Sequence, residues 1–128
     1  MSRPKRILIV EDDRVLRRAC EAGLRKRGFE VTTAEHGAIG LQLALTGAFD
    51  LVLLDMLMPV MNGIDMLRAL RAQEQGSPVP VVVLSNSSTL GARNETDRLG
   101  VSGYMVKASL SLESLAQMVA SLTDQEAA

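Results

Sequence analysis

The stretch that decides the fold reads Leu51-Val52-Leu53-Leu54-Asp55, followed by Met56-Leu57-Met58-Pro59-Val60-Met61-Asn62-Gly63. Four consecutive apolar residues are typical of a strand in a parallel sheet that is covered on both faces. The run ends in one carboxylate, and a proline and an Asn-Gly step then indicate a turn. Because ligands of open parallel sheets bind at the carboxyl ends of strands, Asp55 is the first candidate functional residue.

Strand-like and helix-like segments alternate on both sides of this stretch. Apolar or alternating runs predict strands at 7–10, 29–34, 50–55, 81–84 and 101–106. Helical spacing of apolar residues predicts helices at 14–27, at 37–46, from Asn62-Gly63 to the loop at 73–80, at 88–99, and after an N-cap at Ser111. Five β-α repeats predict a doubly wound α/β fold, with a parallel sheet covered on both faces and right-handed crossovers.

Length and composition favour one cytoplasmic domain. The chain has 128 residues and a net charge of −1, so we expect a single domain with no direct nucleic-acid binding and no membrane contact. Its apolar runs are too short for a membrane span, which needs about 18 residues. Cys20 is the only cysteine, which favours a reducing cytosol and a small core residue.

Positive charge is concentrated near the N-terminus. Nine of the 14 basic residues lie in the first 27 positions: Arg3, Lys5, Arg6, Arg14, Arg17, Arg18, Arg25, Lys26 and Arg27. A solvated helix face explains such a cluster in ordinary structural terms. A docking face for an acidic partner, near Arg14, Val15 and Arg18, explains it functionally.

Polar side chains follow four of the apolar strands, at the point where each strand ends. Strand one ends in Glu11-Asp12-Asp13, strand three in Asp55, strand four in Ser85 and strand five in Lys107. In a parallel sheet these ends share one edge. Clustered carboxylates need a cation, and oxygen ligands suit Mg²⁺, which binds one or two carboxylates plus a phosphate. With an ammonium and a hydroxyl opposite, the edge suits phosphoryl transfer to a carboxylate.

Each of these residues also has an ordinary explanation when taken alone. Asp13 could cap the first helix, Ser85 could be a turn residue and Lys107 a surface charge. Their joint placement at four separate strand ends argues against coincidence.

Taken together, these strand-end residues and the motifs around them resemble the receiver domain of two-component response regulators. The matching motifs are Ile7-Leu8-Ile9-Val10-Glu11-Asp12-Asp13, Asp55-Met56-Leu57-Met58-Pro59 with Asn62-Gly63, Val83-Leu84-Ser85, and Tyr104-Met105-Val106-Lys107. The resemblance implies a flavodoxin-like five-stranded sheet of order 2-1-3-4-5. It implies one receiver domain over 1–128, with a core at about 5–123.

The resemblance also implies a metal site and a phosphoacceptor. Asp55 would accept a phosphoryl group from the phosphohistidine of a sensor histidine kinase or a histidine phosphotransfer protein. Asp12, Asp55 and the main-chain carbonyl of Leu57 would bind Mg²⁺ (or Mn²⁺) directly, and Glu11 would act largely through metal-bound water. The downstream partner and the output remain open.

Further roles follow from the resemblance at strands four and five. Ser85 would hydrogen-bond a phosphoryl oxygen, and Lys107 would pair with the phosphoryl group or Asp55. Tyr104 matches the family's switch aromatic, which turns inward when Ser85 moves. The face made by the fourth helix, fifth strand and fifth helix would change with it.

Several positions depart from the usual pattern or vary in the family. Ala108 follows the strand-five lysine, where the family usually has proline, and Asn86 follows the strand-four serine, where a small residue is usual. Leu57 and Ser87 occupy positions whose side chains tune dephosphorylation. We predict that Leu57 shields the acyl phosphate from water.

Three other functions compete with a phosphoacceptor domain that catalyses only its own phosphorylation and dephosphorylation. A haloacid-dehalogenase-type phosphatase needs a second Asp two positions after the nucleophile, where Leu57 lies. A flavin-binding domain needs aromatic platforms, and the chain has only Phe29, Phe49 and Tyr104. A phosphorylation-independent, receiver-like interaction module is the main alternative.

Overall fold

Five parallel strands form one sheet in the order β2-β1-β3-β4-β5, as the resemblance implied. The computed structural model describes residues 3–58, 61–73, 79–86 and 96–124. The strands are β1 Arg6–Val10, β2 Glu30–Ala34, β3 Leu51–Asp55, β4 Val81–Ser85 and β5 Gly103–Val106.

Helices connect the strands in the predicted alternation. They are α1 Arg14–Lys26, α2 Gly37–Thr46, α3 Gly63–Ala72 and α5 Leu112–Thr123, while of α4 the structure describes residues 96–98. Side chains cap the starts of four of them. Asp13 accepts from Val15 N at 2.9 Å and from Leu16 N at 3.1 Å, and Ser111 accepts from Ser114 N at 3.0 Å. The predicted caps at Asp13 and Ser111 are therefore confirmed.

The sheet lies between two apolar layers, because successive strand residues point to opposite faces. On one face, strand residues pack with α1 and α5: Ile7, Ile9, Leu51, Leu53 and Val82. On the other face, the alternate residues pack with α2 and α3: Leu8, Val10, Val52, Leu54, Val81 and Val83. Cys20 is buried in the first layer, as expected. This double cover explains why strands β1, β3 and β4 read as continuous apolar runs.

Two predictions about the C-terminal third were inexact. The fifth strand begins at Gly103 rather than at Val101. Leu112, predicted to lie on the inward stripe of the last helix, is 38% exposed, whereas Leu115, Ala116 and Val119 are buried. Leu112 is the first residue of α5 and lies against Gly23, which has no side chain to cover it.

Some predicted features lie outside the described residues, among them Pro59, Ser87 and most of the helix predicted at 88–99. Within the described ranges, no helix is both long enough and apolar enough to cross a membrane.

Candidate functional site

Strand register brings the predicted site residues to one edge of the sheet. Val10 pairs with Leu54, so the next residues, Glu11 and Asp55, leave neighbouring strands side by side. Ser85 on β4 pairs with Val106 on β5, so Lys107 emerges next to the end of β4. The convergence predicted from four strand ends is thus a property of the parallel register.

Three carboxylates meet at this edge. One oxygen each from Glu11, Asp12 and Asp55 can be chosen so that all three lie within 4.8 Å of one another. Glu11 and Asp55 are buried, at 0% and 1% exposed, while Asp12 is exposed. The cluster therefore opens to solvent on the Asp12 side.

Lys107 joins two of these carboxylates. Its Nζ lies 2.9 Å from Glu11 Oε1 and 2.9 Å from Asp55 Oδ1. Residues Lys107–Ser109 form a single 3-10 turn where the family usually has proline, and Leu110 N donates to Lys107 O at 3.2 Å. The lysine reaches the cluster although Ala108 replaces that proline.

The carboxylates and the ammonium perturb one another's protonation. Burial raises the pKa of Asp55, and neighbouring Glu11 raises it further, against the opposing effects of Asp12 and Lys107. Desolvation and then Asp55 raise the pKa of Asp12. Burial alone would lower the pKa of Lys107, but Asp55 and Glu11 outweigh it and the pKa is raised. The ammonium form of Lys107 is thus stabilised, whereas the Asp55 carboxylate is not fully compensated.

The two oxygens of the Asp55 carboxylate have different surroundings. Oδ1 accepts from Leu57 N at 3.2 Å and faces Lys107, but Oδ2 is buried with no hydrogen-bond partner among the described residues. A buried carboxylate oxygen without a partner is unfavourable, and three carboxylates facing one ammonium leave an excess of two negative charges. A hard divalent cation fits this donor set, which consists only of oxygen atoms.

The remaining predicted residues lie on β4 and β5 or directly after β3 and β4. Ser85 is buried at the end of β4, and Asn86, one residue further, is exposed. Tyr104 is half-buried on β5 and packs against the core layer of α2 and α3. Leu57 is 68% exposed, and its main-chain N–H donates to Asp55 Oδ1.

The connection after Asp55 is held by a close approach of the main chain. Gly63 N donates to Met56 O at 3.0 Å, and a Cβ at Gly63 would lie 2.4 Å from Asp55 O. The Asn-Gly step read as a turn signal therefore also packs the start of α3 directly against the end of β3.

The sequence predicted no role in the site for Arg17, which stood out only as one of the nine basic residues near the N-terminus. Arg17 on α1 donates from Nη1 to the main-chain oxygen of Glu11 at 3.0 Å and of Asp12 at 3.5 Å. Contacts to main-chain atoms leave no sequence motif, so only the predicted proximity of the α1 start to the strand ends could have suggested it.

Comparison with known proteins shows the family. The model of the response regulator receiver domain matches residues 7–120. The chain is 36% identical over 113 residues, 88% of its length, to the transcriptional regulatory protein CusR of Escherichia coli. It is 39% identical over 117 residues, 91% of its length, to the transcriptional regulatory protein PrrA of Mycobacterium tuberculosis. It covers 49% of each, so the chain spans about half the length of these curated relatives.

Solved structures agree with this relationship. The chemotaxis protein CheY4 of Vibrio cholerae superposes with a TM-score of 0.87 at 28% identity, covering 93% of this chain and 98% of that one. The receiver domain of the sensor histidine kinase PA1611 from Pseudomonas aeruginosa, solved with a magnesium ion in its active-site cleft, superposes with a TM-score of 0.86 at 30% identity, covering 95% and 99%. With its strand order and its edge of converging carboxylates, the chain belongs to the response regulator receiver domains of two-component systems.

Proposed function

We propose that this receiver domain accepts a phosphoryl group on Asp55 in a Mg²⁺-dependent reaction. The observation that carries the proposal is the asymmetry of the Asp55 carboxylate. Oδ1 is held by Lys107 and by Leu57 N–H, while Oδ2 is buried and without a donor among the described residues. An oxygen of Asp55 also lies within 4.8 Å of one oxygen each of Glu11 and Asp12. One oxygen is therefore fixed, and the other is available for the reaction.

Glu11, Asp12, Asp55 and the main-chain carbonyl of Leu57 would hold the metal ion. Bound there, Mg²⁺ (or Mn²⁺) would supply charge neutralisation for the phosphoryl oxygens and for the acidic cluster. Exposed Asp12 leaves the site open on the side from which a phosphoryl donor would approach.

The transfer exchanges one bond for another. An Asp55 oxygen attacks phosphorus, the P–N bond to the histidine of the donor breaks, and the departing imidazole keeps the bonding electron pair and takes up a proton. Lys107, kept as ammonium by two carboxylates, would pair with the transferred group. The hydroxyl of Ser85 would donate to a phosphoryl oxygen. The product is an aspartyl phosphate, which water hydrolyses, so the domain catalyses only its own modification and turns over no metabolite.

The modification adds about −1.5 to −2 charges at neutral pH. Ser85 and Tyr104 lie on paired neighbouring strands, with Tyr104 opposite Val83. We infer that movement of Ser85 toward the phosphoryl group lets Tyr104 turn inward and changes the surface of α4, β5 and α5. Asn86 and Ser87, next to the serine, would tune this change and the rate of dephosphorylation.

The start of α1 is our candidate for the phosphodonor docking face. Arg14, Val15 and Arg18 are exposed, and Val15 is 80% exposed. They lie within two turns of Asp13, next to the open side of the site. The donor would be a sensor histidine kinase or a histidine phosphotransfer protein, encountered in the cytoplasm. Residues 1–128 would act as one receiver module, whatever output the whole protein has.

The test is phosphorylation by acetyl phosphate. Wild-type protein with Mg²⁺ and acetyl phosphate should gain the mass of one phosphoryl group, and the gain should vanish with EDTA or in Asp55→Ala. Asp13→Asn is the matched control, because Asn also caps helices and Asp13 lies outside the cluster. A wild type that gains no mass would instead favour the phosphorylation-independent interaction module.

A further inference from the structure

Arg17 is largely withdrawn from solvent although it lies on the charged helix α1. Its side chain is 12% exposed. Two contacts of Nη1 fix it to the turn between β1 and α1, at 3.0 Å from Glu11 O and 3.5 Å from Asp12 O. Its Nη2 lies 3.7 Å from Glu35 Oε1. The guanidinium is therefore held against the main chain of Glu11 and Asp12, the two acidic residues that follow β1.

These contacts fix the direction of two consecutive peptide groups. In a trans peptide the N–H points opposite to the C=O. With both carbonyls facing Arg17, the N–H groups of Asp12 and Asp13 face away from it. Asp13 N indeed donates to Glu11 Oε2 at 3.1 Å. The N–H of Asp12 belongs to the peptide whose carbonyl oxygen, Glu11 O, lies 3.0 Å from Arg17 Nη1, so it too faces away from the guanidinium.

The ion pair with Glu35 does not account for this arrangement. The Glu35 side chain is 75% exposed and lies 3.7 Å from Arg17, so solvent screens the pair and it contributes little. Burying a guanidinium costs more than such a pair returns, whereas its bonds to main-chain carbonyls satisfy it locally. The main-chain contacts are thus the principal role of Arg17.

We propose that Arg17 is a positioning residue: it holds the turn at Glu11–Asp13 so that two N–H groups face the acidic residues, and it thereby sets the affinity of the cluster for a divalent cation. The inference rests on the proposed function, because it presumes that the cluster binds Mg²⁺. Arg17 acts through the main chain and touches no reacting atom.

The loss of the Arg17 charge and the loss of its main-chain contacts should change the affinity for a divalent cation in opposite directions, which makes the proposal testable. Removing a positive charge near a cation site would by itself tighten cation binding. Losing the orientation of the turn would weaken it, and loss of such outer contacts typically costs about 10–100-fold in metal affinity. Lysine preserves the charge but replaces the rigid, planar guanidinium, whose Nη1 makes both carbonyl contacts, with a compact ammonium on a flexible stem.

The experiment is calorimetric titration of the intact chain with Mg²⁺ for wild type, Arg17→Met and Arg17→Lys. Both variants should bind roughly tenfold more weakly than wild type. Two controls should bind as wild type does: Glu35→Gln, which removes only the ion pair, and Lys26→Met, which removes one exposed charge from the same helix. Thermal unfolding in EDTA records any loss of stability separately, and Arg17→Lys keeps the test valid if Arg17→Met does not fold.

The outcomes separate the two proposals. Wild-type affinity in Arg17→Lys, or tighter binding in Arg17→Met, would overturn the positioning role while leaving the metal site intact. Absence of Mg²⁺ binding by wild type would overturn both.

Discussion

The ammonium nitrogen of Lys107 lies 2.9 Å from Oδ1 of Asp55, and the two side chains are 16% and 2% exposed. This contact joins the ends of β5 and β3 across the end of β4, since β4 lies between them in the sheet. It does not fully compensate the carboxylate, because Glu11 shares the same ammonium. The site is therefore held in a state that is electrostatically unfavourable for Asp55.

We first predict that Asp55→Asn stabilises the metal-free protein. Burial, and then Glu11, raise the pKa of Asp55 above 3.8. The folded carboxyl holds its proton more tightly than the unfolded one. The free energy of unfolding therefore falls as pH rises from the unfolded pKa through the raised folded pKa, and it stays lower at neutral pH. At pH 7 the free energy of unfolding of Asp55→Asn should exceed that of wild type by on the order of 1 kcal/mol, which corresponds to a Tm higher by about 3–5 °C.

Thermal unfolding followed by circular dichroism in EDTA measures this gain, which should disappear in acid. Mg²⁺ should raise the Tm of wild type more than that of the variant. Asp65→Asn provides a control of opposite sign, because an exposed carboxylate in the first turn of α3 is stabilising. An Asp55→Asn protein that melts at or below the wild-type temperature in EDTA would contradict the prediction.

The second prediction concerns Cys20. Burial, and then the charge of Glu11, raise the pKa of its thiol from 9.0 to about 11. As pH rises, the thiol ionises in the unfolded chain before it ionises in the folded protein. The contribution of Cys20 to the free energy of unfolding therefore falls by up to ~2.7 kcal/mol between the unfolded and the folded pKa. Below that window the contribution is fully present.

Urea denaturation of wild type and Cys20→Ala at about pH 7 and about pH 10 tests this. At the lower pH wild type should be more stable by about 1 kcal/mol, because the variant loses buried atoms. At the higher pH the difference should shrink or reverse. A difference that stays constant with pH would show that the thiol does not ionise on unfolding.

The sequence predicted the edge of the site better than its interior. Strand ends are visible as the change from apolar residues to Asp55, Ser85 or Lys107, and a parallel sheet brings such ends together whatever the helices do. Arg17 escaped this reasoning because its partners are main-chain oxygens, whose direction depends on the conformation of the turn. Periodicity likewise could not show that Leu112 lies against a glycine, Gly23, since spacing reports which face is apolar and not what covers it.

Glycine substitutions should have opposite signs at two helical positions. A Cβ at Gly63 would lie 2.4 Å from Asp55 O, which is main chain and cannot move freely, so Gly63→Ala should cost about 1–3 kcal/mol. A Cβ at Gly23 would meet the flexible end of Leu112 at 3.4 Å, so Gly23→Ala should gain about 0.5–1 kcal/mol from helix propensity. Chemical denaturation gives both values, and equal signs would contradict the packing described for Gly63.

Leu57 should slow hydrolysis of the aspartyl phosphate. Leu57 is 68% exposed and its N–H donates to Asp55, so its side chain is close enough to cover the modified carboxylate. Leu57→Asn exchanges an apolar cover for an amide that can orient water, and we expect hydrolysis to be roughly tenfold faster, ~1.4 kcal/mol in barrier. The decay of acetyl-phosphate-labelled protein after removal of the donor measures the rate. Leu57→Met, which stays apolar, serves as control, and unchanged decay in Leu57→Asn would refute the shielding.

Charge reversal at the start of α1 should separate docking from chemistry. Arg14 and Arg18 are exposed beside the open side of the site, and charges at the rim of an interface chiefly change association rates. Arg14→Glu with Arg18→Glu should therefore slow transfer from a phosphorylated histidine protein, by about tenfold at low salt, and leave labelling by acetyl phosphate unchanged.

The donor should be whichever member of a histidine kinase and phosphotransfer panel labels wild type fastest. Lys26→Glu, at the far end of the same helix, is the matched control and should transfer normally. Because screening weakens steering, the defect should shrink as salt is added. Equal transfer rates for the double variant and wild type at low salt would exclude α1 as the docking face, and a matching loss with acetyl phosphate would locate the defect in the site itself.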